Sequence, residues 1–171
     1  MNWYKNSTSS GYSPGDFLRF EVLAALDFDS ILDVGSGPCE LLTWLTKQNR
    51  SVEYEAVDIR ADALEHCKCK THEKLPARKK YDLVVLFGVA DYCTPQTLLE
   101  KKKEFEAFLL QASKRARHKV VFSVVKDEHK SPRLVTYSLA EAAKLAELIS
   151  TNYTVHESIE PTEYIVEVDI K

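Results

Sequence analysis

Two acids and two glycines carry the chemistry of this chain. Asp33 lies near the end of an apolar run, Ile31-Leu32-Asp33-Val34, and Gly35-Ser36-Gly37-Pro38 follows directly. Glycine removes the Cβ that would hold a ligand away and permits a tight turn. A strand that stops at Gly-x-Gly and continues as a helix makes a floor that a ligand can approach. Free backbone N–H groups and a positive dipole end sit at the mouth of that helix. Asp58 closes a second apolar run, Tyr54-Glu55-Ala56-Val57-Asp58, 23 residues beyond Gly35. An acid at the tip of a second strand is placed to accept both hydroxyls of an adenosine ribose. Turn and acid together point to a nucleoside-bearing cofactor. A dinucleotide is the poorer match. Gly35-x-Gly37-x-x-Glu40 puts a glutamate where the third glycine would pack helix on strand, beside a pyrophosphate it would repel.

The elements that must position these residues alternate between strand and helix. Pro14 suits a first helical position after Ser13 as N-cap, and Phe17, Leu18, Val22, Leu23, Ala25 and Leu26 then share a helical face. The pattern predicts strands over 30–35, 52–58, 67–71, 81–87, 119–125, 153–159 and 163–170. It predicts helices over 39–49, 61–66, 95–113 and 138–150, with Leu98, Leu99, Phe105, Phe108 and Leu109 inward on the third. Such alternation means a mostly parallel sheet covered on both faces. The last two strands are joined only by Glu160-Pro161-Thr162, so they are antiparallel. The expected fold is α/β, a three-layer Rossmann-like sandwich with a seven-stranded sheet. Residues 1–13 read as an irregular arm and 14–171 as a single domain, in keeping with the 171-residue length.

These motifs resemble the class I S-adenosylmethionine-dependent methyltransferases over nearly the whole length. The resemblance rests on Leu32-Asp33-Val34-Gly35-Ser36-Gly37, Ala56-Val57-Asp58-Ile59, Leu75-Pro76 followed by Tyr81-Asp82-Leu83-Val84-Val85, and the closing hairpin. It implies strand order 3-2-1-4-5-7-6 with strand 7 antiparallel, and S-adenosyl-L-methionine as cofactor. By that similarity Asp33, Gly35, Ser36 and Gly37 cradle the methionine part, Asp58 binds the ribose, and Ile59 packs on the adenine. Thr71, followed by His72, stands where the family often has an adenine-binding Asp. Phe87 and Gly88, with Val89, line the methionine end. Cys39 replaces the family's third loop glycine.

The methyl acceptor is less legible. The residues after the fourth strand, Phe87-Gly88-Val89-Ala90-Asp91-Tyr92, lack the proline pair of the amino-methylating nucleic-acid enzymes and look like the small-molecule branch of the family. Lys5, Asp91, Lys126 and Glu160 occur in the order of a ribose-methylating tetrad, but Asp91 stands past the expected spot. In the small-molecule branch the arm (Trp3, Tyr4, Tyr12) and the loops after strands 4 and 5 (Asp91, Tyr92, Lys126, His129) build the acceptor pocket. Asp91, Tyr92 and His129 are therefore the candidate catalytic residues. Asp91 is equally suited to capping the following helix, and His129 to a solvated loop.

Composition narrows the partners. Net charge is −3, so no global basic field announces nucleic acid. Residues 66–80 carry six Lys/Arg against one acid, a stretch that would track phosphates or merely guard an edge strand. The expected partner is a small-molecule substrate. A nucleic acid, or a protein partner supported by a non-catalytic chain of this fold, is the alternative. The first residues are polar and aromatic, so no leader is expected; no run is long enough for a membrane span, and four cysteines then suggest reduced thiols in the cytoplasm. Cys67 and Cys69 flank Lys68 in a His- and Cys-rich stretch, but no second cysteine pair completes a zinc site there, so no metal is expected.

Overall fold

The computed structural model describes residues 16–90, 97–129 and 134–171. A 3₁₀ helix, Asp16–Ala25, leads into β1 (Ser30–Val34), α1 (Glu40–Lys47), β2 (Glu53–Val57), α2 (Ala61–Leu64), β3 (Lys70–His72) and β4 (Tyr81–Leu86). Then come α3 (Leu98–Ser113), β5 (Ala116–Lys126), β6 (Thr136–Tyr137), α4 (Leu139–Glu147), β7 (Tyr153–His156) and β8 (Glu163–Asp169). One sheet runs β3-β2-β1-β4-β5-β8-β7. β8 is antiparallel to both β5 and β7, and the pairs from β3 to β5 are parallel. This is the expected order and sense.

The seven-strand expectation needs one addition. β6 is an eighth strand among the described residues, pairing Val125 with Thr136 and Lys126 with Tyr137. β5 outruns β4, whose last partner on it is Phe122, while β8 occupies its other side as far as Val125. The end of β5 thus has an open edge on the β4 side, and a two-residue strand satisfies its backbone groups. So short a strand leaves no alternation to read.

Alternation along the strands sorts the core into two layers. Ile31, Tyr54, Ala56, Leu83, Val85 and Val121 meet Phe20, Leu23, Leu41, Trp44 and Leu45 of the 3₁₀ helix and α1. Leu32, Val34, Val84, Leu86, Val120 and Val166 meet Phe105, Leu109, Ala142 and Leu145 of α3 and α4. Period-two side-chain direction puts Asp33 on the first face and Glu55 on the second.

Two helix readings are corrected. The first helix is a 3₁₀ helix, and its buried residues are Arg19, Phe20, Val22 and Leu23, with Leu18 exposed. Three residues per turn stack 19 on 22 and 20 on 23, which a 3.6-residue reading does not pick out. The Ser13 cap and Pro14 lie outside the described residues. In α3, Leu98 and Leu99 are exposed, while Phe105, Leu109 and Ala112 form the inward stripe. The helix starts at a Thr97–Glu100 capping box, and its first turn precedes the stretch that meets the sheet. No helix among the described residues is long and apolar enough to cross a membrane.

Candidate cofactor-binding site

The C-terminal ends of β1 and β2 build one continuous turn. Gly35 N–H and Ser36 N–H both donate to the Val57 carbonyl, at 2.7 and 3.1 Å. Gly35 and Gly37 have φ of 73° and 52°, the left-handed region that favours glycine. A Cβ on Gly35 would stand 2.6 Å from Val89 Cγ2, whereas one on Gly37 would meet nothing nearer than the Arg60 guanidinium at 3.9 Å. A side chain at Gly35 would therefore collide with Val89, although the glycine itself is exposed, whereas Gly37 has room for a Cβ. Gly35→Ala is expected to cost roughly 2–3 kcal/mol from the positive φ and the clash together. Urea denaturation checks this, and a loss below about 0.5 kcal/mol, within the ordinary range of surface changes, would contradict it.

Asp58 is the keystone of the turn. Its Oδ2 accepts from Gly37 N–H at 2.9 Å and its Oδ1 from Arg60 N–H at 2.9 Å, with Arg60 Nε at 3.5 Å. A carboxylate has about four acceptor positions, so two backbone donors leave room for two hydroxyls. The sequence reading gave Asp58 a ligand and missed that it also clasps the loop. Ile59, the next residue, is 81% exposed. The chain that follows it, Ala61 and Leu64, lines a cleft of about 740 Å³ together with Thr71 and His72.

Thr71 and His72 part company here. Thr71 pairs with Ala56 and His72 with Val57, on opposite faces of the sheet. His72 Nε2 lies 2.6 Å from Glu55 Oε2, so its ring is held by a neighbouring strand. Glu55, 3% exposed, also accepts from Tyr81 Oη at 2.7 Å and from Lys70 and Lys79. Burial pushes its carboxyl upward, but hydrogen bonds from Lys79, Tyr81, His72 and Lys70 outweigh that and bring it down to about 2.

Asp33 closes the floor. It is buried at the end of β1 and accepts from the hydroxyl of Tyr54. Burial lifts its carboxyl to about 7, the Tyr54 hydrogen bond opposing and the Asp58 charge adding to the rise. Such an acid is primed for a cationic group that would let it ionise. On the β4 side the Phe87 ring packs 5.6 Å from that of Phe20, in the core. Gly88, at φ 67°, donates its N–H to Ser123 Oγ at 3.0 Å.

The acceptor side divides. Asp91 and Tyr92 lie outside the described residues, as do Trp3, Tyr4 and Tyr12. His129 is exposed on a 3₁₀ turn, Asp127–His129, directly after β5. Lys126 is turned to another use. Its ammonium donates to the carbonyls of Glu157, Glu160 and Pro161 at 2.6, 3.2 and 3.1 Å, and the side chain is buried under that connection. It staples the β7–β8 connection to β5 and does not face an acceptor, a role that spacing alone did not disclose.

The expectation of reduced thiols is overturned at this turn. Cys39 and Cys67 form a disulfide, their Cα atoms 5.4 Å apart. Sequence distance hid the pairing; the order β3-β2-β1 brings the start of α1 and the approach to β3 together. Cys39 takes a left-handed conformation, φ 60°, as N-cap of α1.

No family model and no curated protein matches the chain. Solved structures do. A magnesium protoporphyrin IX methyltransferase from Synechocystis PCC 6803 with bound SAM superimposes with TM-score 0.64 at 13% identity, over 92% of this chain and 78% of that one. The N-methyltransferase NodS from Bradyrhizobium japonicum WM9 does so with TM-score 0.65 at 11% identity, over 91% and 93%. A chain of the Pnkp1/Rnl/Hen1 RNA repair complex gives TM-score 0.69 at 14% identity, over 92% of this chain but only 42% of that one.

Proposed function

We propose that this chain, whose fold is that of the class I S-adenosylmethionine-dependent methyltransferases, binds S-adenosylmethionine at the glycine turn and methylates a small-molecule or polar acceptor. The observation that carries the reading is the Asp58 carboxylate, tied at 2.9 Å to Gly37 N–H and followed by a bare Ile59. The donor set fits the cofactor part by part. Asp58 has acceptor positions left for two ribose hydroxyls, and Ile59 offers an apolar face to a flat base. Asp33 is a buried acid suited to a cationic amino acid moiety. The turn at Gly37 leaves space where a side chain would intrude.

When bound, the cofactor supplies a methyl group on a sulfonium, open to in-line displacement. The protein's part is alignment and, for a protonated acceptor, removal of a proton. Asp91, Tyr92 and His129, from the segments following β4 and β5, are the residues assigned to that acceptor side. In the basic stretch that the nucleic-acid alternative would use, Lys79 is held by Glu53 and Glu55, while Lys70, paired with Glu55, keeps a side chain 63% exposed.

The test is calorimetric titration of S-adenosylmethionine into the purified chain and into Asp58→Ala. The variant is expected to bind roughly 10- to 100-fold more weakly, as for loss of hydrogen bonds to a charged group. No binding by the unaltered chain would overturn the stand-alone enzyme and favour a chain that depends on a partner.

A further inference from the structure

Three sulfurs meet under the glycine turn. The Sγ atoms of Cys39, Cys67 and Cys69 lie within 4.8 Å of one another. Cys39 and Cys67 are bonded, and Cys69 keeps a free thiol whose Sγ is 3.8 Å from that of Cys39. Cys67 Sγ is also 3.6 Å from the Gly37 carbonyl, so the bond rests against the turn itself. Cys39 caps α1 without a side-chain hydrogen bond, leaving the disulfide to direct its side chain. The bridge spans 28 residues and ties the loop after β1 to the segment entering β3, the two walls of the proposed cofactor site.

We propose that Cys39, Cys67 and Cys69 form a thiol–disulfide exchange site that sets the geometry of the glycine turn. Resting on the cofactor reading above, that geometry sets the affinity for S-adenosylmethionine. The Cys69 thiolate attacks Cys39 Sγ. The Cys39–Cys69 bond forms as the Cys39–Cys67 bond breaks, and the electron pair leaves on Cys67 Sγ, which takes up a proton. Exchange consumes no oxidant. Opening the bridge fully takes a dithiol reductant, which gives two electrons and becomes a disulfide itself. Cys39–Cys67 is the resting pair; burial, to which the charge of Asp33 adds, holds the Cys69 thiol above its ordinary range and so slows its attack. A zinc site is the competing use of three sulfurs. Structural zinc takes four protein ligands, and no fourth Cys, His or carboxylate joins this cluster among the described residues.

The experiment uses the full chain with Cys93→Ser, so that only these three thiols remain. After equilibration in a glutathione–glutathione disulfide buffer, alkylation and peptide mass mapping are expected to show Cys39–Cys67 bonded and Cys69 alkylated. Cys67→Ser in the same background is expected to yield Cys39–Cys69, and Cys69→Ser to retain Cys39–Cys67. Three alkylated thiols in the parent, or only glutathione adducts in Cys67→Ser, would overturn the exchange site. So would one zinc ion per reduced chain that shields all three thiols and prevents the disulfide. Calorimetry of the oxidised and dithiothreitol-reduced forms tests the coupling. About tenfold weaker binding on reduction is expected, because the bridge holds the loop preorganised. Equal affinities overturn the coupling. Binding in neither form overturns the cofactor reading and the coupling with it, while the mapping still decides the exchange chemistry.

Discussion

Glu55→Gln is expected to lower stability by about 3–4 kcal/mol at pH 7, the range for breaking a buried ion pair from one side. The carboxylate projects from the middle of β2 and gathers Tyr81, His72, Lys70 and Lys79. An amide there offers one acceptor oxygen and turns an NH₂ toward donors. The sign of the pH dependence follows from the depressed value. The folded-state carboxyl is near 2 against an ordinary 4.5. Its contribution is therefore complete above about pH 4.5 and is lost as pH falls toward 2. Two and a half units at 1.36 kcal/mol each give about 3 kcal/mol, in line with the mutational figure. Urea denaturation of the parent and Glu55→Gln at pH 7 and at about pH 2.5 measures both. The gap between the two proteins is expected to narrow in acid, and a gap that stays constant would show that the hub is not electrostatic.

Asp33→Asn is expected to act in opposite directions on stability and on binding. Asp33 is raised to about 7 in the folded protein from an ordinary 3.8. Between those values the folded state holds a proton that the unfolded chain has released, so this group makes stability fall as pH rises from about 4 to 7. Above pH 7 the folded chain carries a buried charge. An asparagine keeps an oxygen for the Tyr54 hydroxyl without that charge, and the ligand-free protein is expected to gain about 2 kcal/mol at pH 8. The same change removes the partner of a cationic ligand. S-adenosylmethionine is expected to bind about 100-fold more weakly at pH 8, some 2.7 kcal/mol. The parent's affinity rises with pH through about 7, and that of the variant stays flat. Thermal melts and calorimetry between pH 6 and 8.5 test the pair of effects. A variant less stable than the parent at pH 8 would show that the Asp33 charge already has a compensating partner.

What local pattern determines was readable, and what depends on strand adjacency was not. Ile31 to Gly37 announces a strand, a left-handed turn and a helix because glycine alone tolerates that backbone cheaply. Tyr54 to Asp58 repeats the strand and supplies an acid at its tip. The alternation of such units dictates a parallel sheet, and the short link at Glu160-Pro161-Thr162 dictates an antiparallel end. Even so, residue type did not disclose function at Lys126, which reads as a pocket lysine and is consumed by three carbonyls. Nor did it separate Thr71 from His72, adjacent in sequence and on opposite faces of β3. The two-residue β6 carries no period to detect.

The sequence by itself determined the α/β order, the glycine turn and the two acids that frame it, since each follows from steric and periodic rules acting over a few residues. Tertiary structure decided which of the polar side chains were spent on the fold. Glu55 gathers its partners from β3, β4 and the chain between them. Asp33 meets Tyr54 across a strand pair, and Cys39 finds Cys67 and Cys69 only once β1, β2 and β3 lie side by side. Those contacts join residues 15 to 30 positions apart. A hydrogen bond or a disulfide depends on where a partner lies in space, and no local spacing encodes that distance.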